Sequence, residues 1–254
     1  MLYEIIPPCV ALADMISHFW TGSWDASRPP NTTYMVIAGS LTELTFAFGN
    51  RDKPSGLLFS LLQGHTERPC QLPVEGFYHL LGVSFYAHAI PLLFGVPAGE
   101  LTNKILAPDL LLGPGARQLY EMMDAAVTMQ QRVSLLSGYF LSARKALLQD
   151  QLMIRAIHVL RKGREEAGLD TLAREFCLSP KQFGRRFKAA SGFNPKTYAR
   201  IIRFESAISD CLHAPLLTDA AYDHGYYDQA HFIREFKSLS LFTPGDFRKL
   251  GAEQ

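Results

Sequence analysis

The sequence predicts a two-domain α+β protein: a β-rich barrel or sandwich over residues 1–113, a helical connector over 114–150, and an all-α domain over 151–254 with two helix-turn-helix motifs. Three observations predict it. Up to about Lys104, short apolar runs are broken by Pro, Gly and Asn, the texture of strands joined by tight turns. After Pro114 the apolar residues recur every three or four positions, the period of a helix with one buried face. From Leu172 onward one pattern occurs twice, which marks an internal repeat. A chain of 254 residues that is 48% hydrophobic can bury two modest cores.

In the first part, Thr33 to Ala38, Leu44 to Phe48, Leu57 to Leu62 and Leu80 to Tyr86 are the strand candidates. Its aromatic residues are dense enough to line a cavity for a small apolar or aromatic molecule, and Trp20, Trp24 and Tyr34 are the candidate ligand contacts, although most of the rings are expected to be core. His65 and Glu67, with His79 and His88, invite comparison with a metal-binding cupin. That chemistry needs closely spaced histidines and a carboxylate converging on one ion, and the sequence has no H-x-H. We therefore expect no metal and no cofactor, and read these histidines as hydrogen-bonded. No G-x-S-x-G, Walker loop or dinucleotide fingerprint occurs, and neither Ser137 nor Cys70 has a base near it in sequence, so no residue is assigned to catalysis. Cys9, Cys70, Cys177 and Cys211 lack C-x-x-C spacing and read as reduced thiols.

The opening MLYEIIPPCV has neither a basic region nor a long apolar core, and no later run reaches about 18 apolar residues, so we expect a cytoplasmic protein with no membrane partner. Leu119, Met122, Met123 and Val127, then Val133, Leu136, Phe140, Leu147 and Leu148, predict two amphipathic helices. Their apolar faces either pack on the β domain or meet a second copy of the chain. Gln149 to Gln151 leaves little linker before a helix over Leu152 to Arg164 with Ile154, Ile157 and Leu160 on one side.

The repeat runs from Leu172 to Lys188 and again from Ala220 to Lys237, with Phe183, Phe187 and Lys188 matching Phe232, Phe236 and Lys237 at a constant offset of 49 residues. Ala173 and Ala221 allow two helix backbones to approach, and Cys177 and Gly225 are small residues at the turn that follows. Ser179 and Asp228 offer N-caps for the second helix of each copy. In that helix the two phenylalanines share the buried face, which leaves Lys181, Gln182, Arg185 and Arg186 available in the first copy and Gln229, Ala230, Ile233 and Arg234 in the second, with His231 beside them. Arg and Lys reach guanine O6 and N7, Gln pairs with adenine, and small side chains meet a thymine methyl, so these faces suit the major groove of double-stranded DNA. Between the copies, Asn194 as N-cap and Pro195 at the first helical position start a helix that would span roughly 28 Å, close to the roughly 34 Å turn of B-DNA. Lys196, Arg200 and Arg203 are candidates for phosphate contact or for none.

Leu172, Ala173, Phe187, Lys188, Gly192 and Pro195, then Ala221, Gly225, Tyr226, Phe232, Phe236, Lys237, Thr243, Pro244, Phe247 and Arg248, make residues 151 to 250 resemble the DNA-binding domain of the AraC/XylS family. The resemblance implies a seven-helix domain with two helix-turn-helix motifs, in a transcription regulator. More weakly, Gly82 to Lys104 and Asp109 to Leu112 resemble the sensor-like domain of a subset of that family, which implies a small-molecule effector or a protein partner there. Two departures stand out. Leu241 occupies the position of the helix-ending Gly192, and Gly184 lies near the first DNA-facing surface where the family has a longer side chain.

Charge agrees with this division. Residues 1–150 hold 9 Lys and Arg against 12 Asp and Glu, whereas residues 151–254 hold 16 against 12, so only the second part is basic. The reading is a sequence-specific regulator rather than an enzyme, with DNA, a small-molecule effector, RNA polymerase and a second copy of the chain as its possible partners. Its rival is a cupin-like metal or small-molecule enzyme with an appended DNA-binding domain.

Overall fold

The alternation of apolar and polar residues along the early strands builds an open antiparallel sheet of six strands. The computed structural model describes residues 3–27, 32–49, 55–145, 149–162, 168–213, 224–226 and 228–252. The strands are β1 (Tyr3–Ile6), β2 (Ile16–Asp25), β3 (Thr33–Val36), β4 (Leu41–Gly49), β5 (Ser55–Gln63), β6 (Cys70–Pro73), β7 (Phe77–Tyr86) and β8 (Ile105–Leu106). Their order in the large sheet is β1-β2-β7-β4-β5-β8, and β3 pairs with β6 in a separate ribbon. Of the two expected forms, barrel or sandwich, the closed barrel is not formed: among the described residues no pairing joins β1 to β8. Both edges are short, four residues and two, and helices cover the apolar face that closure would otherwise have to bury.

Those helices follow β7 and are α1 (Ile90–Phe94), α2 (Asp109–Leu112), α3 (Ala116–Ala125) and α4 (Met129–Ala143). Phe19, Leu44, Phe46, Phe48, Leu62, Leu81, Val83 and Phe85 form one core with Leu119 and Met123 of α3 and Val133, Leu136 and Phe140 of α4. Each such side chain contributes roughly 1.5–3 kcal/mol by leaving water. The predicted connector therefore packs on the sheet. Val127 is 71% exposed in the turn between α3 and α4 rather than on a helix face, and Leu147 and Leu148 lie outside the described residues. Thr128 starts α4 with a capping box to Gln131. Arg132, fully buried, donates to Met123 O at 2.9 Å and Ala126 O at 2.7 Å and stacks over Phe48 at 3.7 Å, so its charge satisfies the carbonyl end of α3.

The opposite face of the sheet carries His18, Trp20 and Trp24 of β2, Tyr78, Leu80, Gly82 and Ser84 of β7, and Glu43, Thr45 and Ala47 of β4, as the strand register requires. Trp20 lies flat over Gly82, where a Cβ would come within 2.0 Å of the indole. Only glycine fits beneath it.

The second domain contains α5 (Gln151–Arg161), α6 (Leu169–Glu175), α7 (Pro180–Ser191), α8 (Pro195–His213), α9 (Gln229–Ser240) and α10 (Pro244–Ala252). The seventh helix expected around Ala221 falls outside the described residues. Asp150 caps α5 by accepting from Met153 N.

The two domains touch through short loops of the first. The segment between β3 and β4 places Ala38 N on Leu239 O at 2.8 Å, adding Ala38 to the core of the second domain. Next to it, Ser40 donates to Glu205 of α8 from its backbone N at 2.6 Å and from Oγ at 3.0 Å, while Arg161 donates to Ser40 Oγ at 2.7 Å. Burial raises the Glu205 carboxyl, and Arg161 and Ser40 pull it back. On another loop, the ring of His65 meets Phe193 edge-on at 5.0 Å.

Candidate nucleic-acid interface

Each recognition helix is fixed at both ends by side chains adjacent to it in sequence. Ser179 accepts from Gln182 N and receives the reciprocal contact from the Gln182 side chain, a complete capping box. Asp228 accepts from His231 N at 2.6 Å. Asn194 likewise accepts from Thr197 N at 2.9 Å at the start of α8. The turns before α7 and α9 pass through the left-handed region at Cys177 (φ 55°) and Gly225 (φ 68°). Ala173 is buried, as the helix approach requires, whereas Ala221 lies outside the described residues.

At their far ends the two helices repeat one another in detail. Gly192 (φ 80°, ψ −20°) and Leu241 (φ 72°, ψ −7°) both turn left-handed, and each donates its N–H back four residues, to Lys188 O and Lys237 O. Leu241 thus keeps the geometry that glycine supplies in the first copy, at the steric cost of a Cβ. Beside them stand two fully buried serines that sequence reasoning missed. Ser191 Oγ donates toward Phe187 O and Phe193 O and accepts from Phe193 N; Ser240 Oγ does the same with Phe236 O, Phe242 O and Phe242 N. The signal was present, because the two serines have the same 49-residue offset as the phenylalanines.

The buried faces lock both helices to one strut. Phe183, Phe187, Phe232 and Phe236 are all buried. Phe187 meets Tyr198 at 5.3 Å and Phe236 meets Phe204 at 5.1 Å, so α8, 19 residues long, carries one motif at each contact. Lys181, Gln182 and Arg185 remain exposed on α7, and Gln229, Ala230 and Arg234 on α9. Gly184 has nothing within 4 Å of an added Cβ, which leaves open space on that side of α7.

Three of the residues predicted to reach DNA are engaged within the protein. Arg186 turns away to grip Asp150 with two 2.7 Å hydrogen bonds, and this pairing holds the Asp150 carboxyl below its usual range. Gln182 Oε1 is taken by the capping box. His231 is half-buried, 3.6 Å from Glu235 on its own helix, and faces the groove beside α8 rather than the outer surface.

In the first domain Trp24 and Tyr34 meet at 5.6 Å, and Trp20, on the same strand face beyond Gly22, is stacked on Tyr3 at 5.4 Å. Tyr34 OH donates to Gln63 at 3.3 Å, which ties the β3–β6 ribbon over this face. Glu43 accepts from Ser84 Oγ at 3.1 Å, and burial raises its carboxyl. The histidines considered for metal are otherwise occupied. His65 places Nδ1 3.1 Å from Thr42 Oγ1 and Nε2 2.9 Å from Thr102 Oγ1, His79 bonds Ser23, and His88 bonds Asp14 O. They do not converge: no group of three or more metal-binding side chains occurs among the described residues.

Comparison with known proteins matches two separate stretches of the chain. Residues 4–107 match a family described as "Domain of unknown function (DUF6597)", and residues 172–250 match one described as "Helix-turn-helix domain". The transcriptional activator RhaS of Escherichia coli (strain SE11) is 30% identical over 86 residues, which is 34% of this chain and 31% of RhaS. The transcriptional regulator MtrA of Neisseria gonorrhoeae is 27% identical over 97 residues, 38% of this chain and 32% of MtrA. The match thus spans about a third of each relative. The crystal structure of ToxT from Vibrio cholerae O395 bound to (E)-4-(8-methylnaphthalen-1-yl)but-3-enoic acid superposes with a TM-score of 0.51 at 14% identity, covering 91% of this chain and 98% of ToxT. That likeness concerns the fold. Among the described residues no helix is long and apolar enough to cross a membrane.

Proposed function

We propose that the chain is a cytoplasmic transcription regulator of the AraC/XylS type that reads two consecutive major grooves of one DNA duplex; residues 172–250 match a helix-turn-helix domain and are similar to RhaS and MtrA over about a third of each. The observation that carries this is the duplicated recognition helix, capped alike at both ends and mounted on one strut. Lys181 and Arg185 on the first helix, and Gln229, Ala230 and Arg234 on the second, are the base contacts. Gln182, Arg186 and His231 join them only if their internal bonds exchange for DNA.

Trp20, Trp24 and Tyr34 mark the effector site in this reading, on the sheet face covered by the β3–β6 ribbon. The ToxT structure named above holds an aromatic acid; here the aromatic lining favours a planar or apolar molecule, and Glu43 supplies a polar end. A second copy of the chain would pack on the outer side of α3 and α4, where Met122 and Leu141 are exposed, and RNA polymerase is the partner through which DNA binding would act. No observation favours the enzyme reading.

Selection of genomic DNA fragments by the full chain tests the proposal. One motif with two conserved blocks about one helical turn apart is expected. A single block would reduce sequence reading to one helix, and no enrichment by folded protein would overturn the assignment.

A further inference from the structure

Between the two motifs lies a groove of about 570 Å³ that the base contacts leave unused. It is walled by Asp170 at the start of α6, by Lys196, Arg200 and Arg203 of α8, and by His231 and Glu235 of α9. Both motifs and the strut between them therefore meet at one place. Lys196, Arg200 and Arg203 fall at i, i+4 and i+7, so they form one stripe along the helix. The Arg203 guanidinium sits over the Tyr226 ring at 5.3 Å. Two buried nitrogens in this lining, Arg200 Nε and His231 Nδ1, have no hydrogen-bond partner among the described residues and can each donate to an anion; Glu235 Oε1, likewise without one there, is an acceptor that an anion leaves unsatisfied. Buried polar atoms are rarely left so, and a cluster of them marks a place that something else completes.

The charge and position of the groove say what that is. Three cations face two carboxylates, so the surplus is positive and the fitting ligand is an anion. In a docked helix-turn-helix the first helix crosses the sugar-phosphate backbone while the second enters the groove. Here the wall is made by the first helix of one motif and the second helix of the other, so it joins a backbone-crossing element to a groove-entering one. We propose that this groove seats the phosphodiesters between the two recognition sites, with Lys196 and Arg200 as the principal contacts and Arg203 behind them. The proposal rests on the two-groove reading and extends it: the intervening DNA, whose bases no side chain reads, is held at a fixed place.

The test uses the full chain on a selected two-block site. Lys196→Gln and Arg200→Gln should each lower the slope of log affinity against log salt by about 1, and should weaken cognate and unrelated DNA alike. Between 50 and 200 mM salt, each variant should then lose about 4-fold less affinity than wild type. Replacing the phosphates between the blocks with uncharged methylphosphonates should weaken wild type and cost the Arg200→Gln variant clearly less, since one of the contacts is already gone. Unchanged salt slopes, or losses that simply add, overturn the proposal while leaving the two-groove reading intact. A wild-type chain that selects no two-block site removes that reading and this proposal with it. Inorganic phosphate, titrated at constant ionic strength, separates a free-anion site from a backbone site: competition with DNA supports the backbone, and phosphate bound equally well to the DNA complex overturns it.

Discussion

Lowering the pH from 7 to 5 should weaken the joint between the domains, and His65 makes the size of the effect calculable. Its ring is fully buried between Thr42 and Thr102 and against Phe193 of the second domain, and burial lowers its pKa from 6.5 to about 4. The unfolded chain therefore binds a proton near pH 6.5 that the folded chain refuses until about pH 4. Stability from the neutral ring is fully present above the higher value and is lost as pH falls through this window, at up to about 1.4 kcal/mol per pH unit. From pH 7 to 5 the loss is about 2 kcal/mol. His88, also buried and lowered to about 4, loses a similar amount over the same window. Together these losses are a large fraction of a stability of roughly 5–15 kcal/mol. Urea unfolding of wild type and His65→Gln at pH 7, 6 and 5 provides the measurement. Glutamine keeps a donor and an acceptor for the two threonines and takes up no proton, so the variant should lose about half of the pH dependence. Equal dependence in both proteins, or none in wild type, would refute the reasoning.

Four substitutions probe the recognition helices themselves. Arg185→Ala should cost about 1–3 kcal/mol on the cognate site and little on unrelated DNA, as read by binding titrations; equal loss on both would make it a phosphate contact. Gly192→Ala places a Cβ in the left-handed region and 2.1 Å from His65 Nε2, so thermal unfolding should show a loss of about 3 kcal/mol from backbone strain and overpacking together. Leu241→Gly, at the equivalent position, relieves the same backbone strain and should stabilise the protein by about 0.5–1 kcal/mol in denaturant titrations. Ser240→Ala empties a fully buried hydrogen-bond bracket and should cost about 1–3 kcal/mol in the same assay.

Much of the second domain could be read in advance because its determinants are local. Caps act across three residues, and the phenylalanine pairs across four, so Ser179, Asp228, Asn194 and the buried faces of α7 and α9 were visible as spacings. Leu241 was visible as a conflict between a β-carbon and the position it must occupy. What escaped depends on distant partners. Arg186 lies on the open side of its helix by periodicity, and Asp150, which claims it, is 36 residues earlier. Ser40 and Glu205 are 165 residues apart and give no local signal. The first domain was harder. β2 mixes His, Thr, Gly and Ser with its aromatic residues and so did not stand out as an apolar run, and whether a sheet closes depends on its edges, which here are its shortest strands. The connector helices were recognised by period, but only packing could show that their apolar faces belong to the sheet.

The loops that join the domains do more than hold them side by side. The end of α7 rests on the first domain through Gly192 and Phe193, the end of α9 rests on it through Leu239, and Glu205 fixes the strut midway at Ser40. A body that carries none of the proposed base contacts thus braces the helices that would make them. One of the loops that hold α7, α8 and α9, Ile37 to Ser40, runs at both ends into the aromatic face of the sheet, since β3 and β4 on either side of it carry Tyr34 and Glu43. On the two-groove proposal, operators with a spacer longer or shorter by one base pair should therefore bind the full chain more weakly, because the N-terminal domain fixes the distance between the two helices.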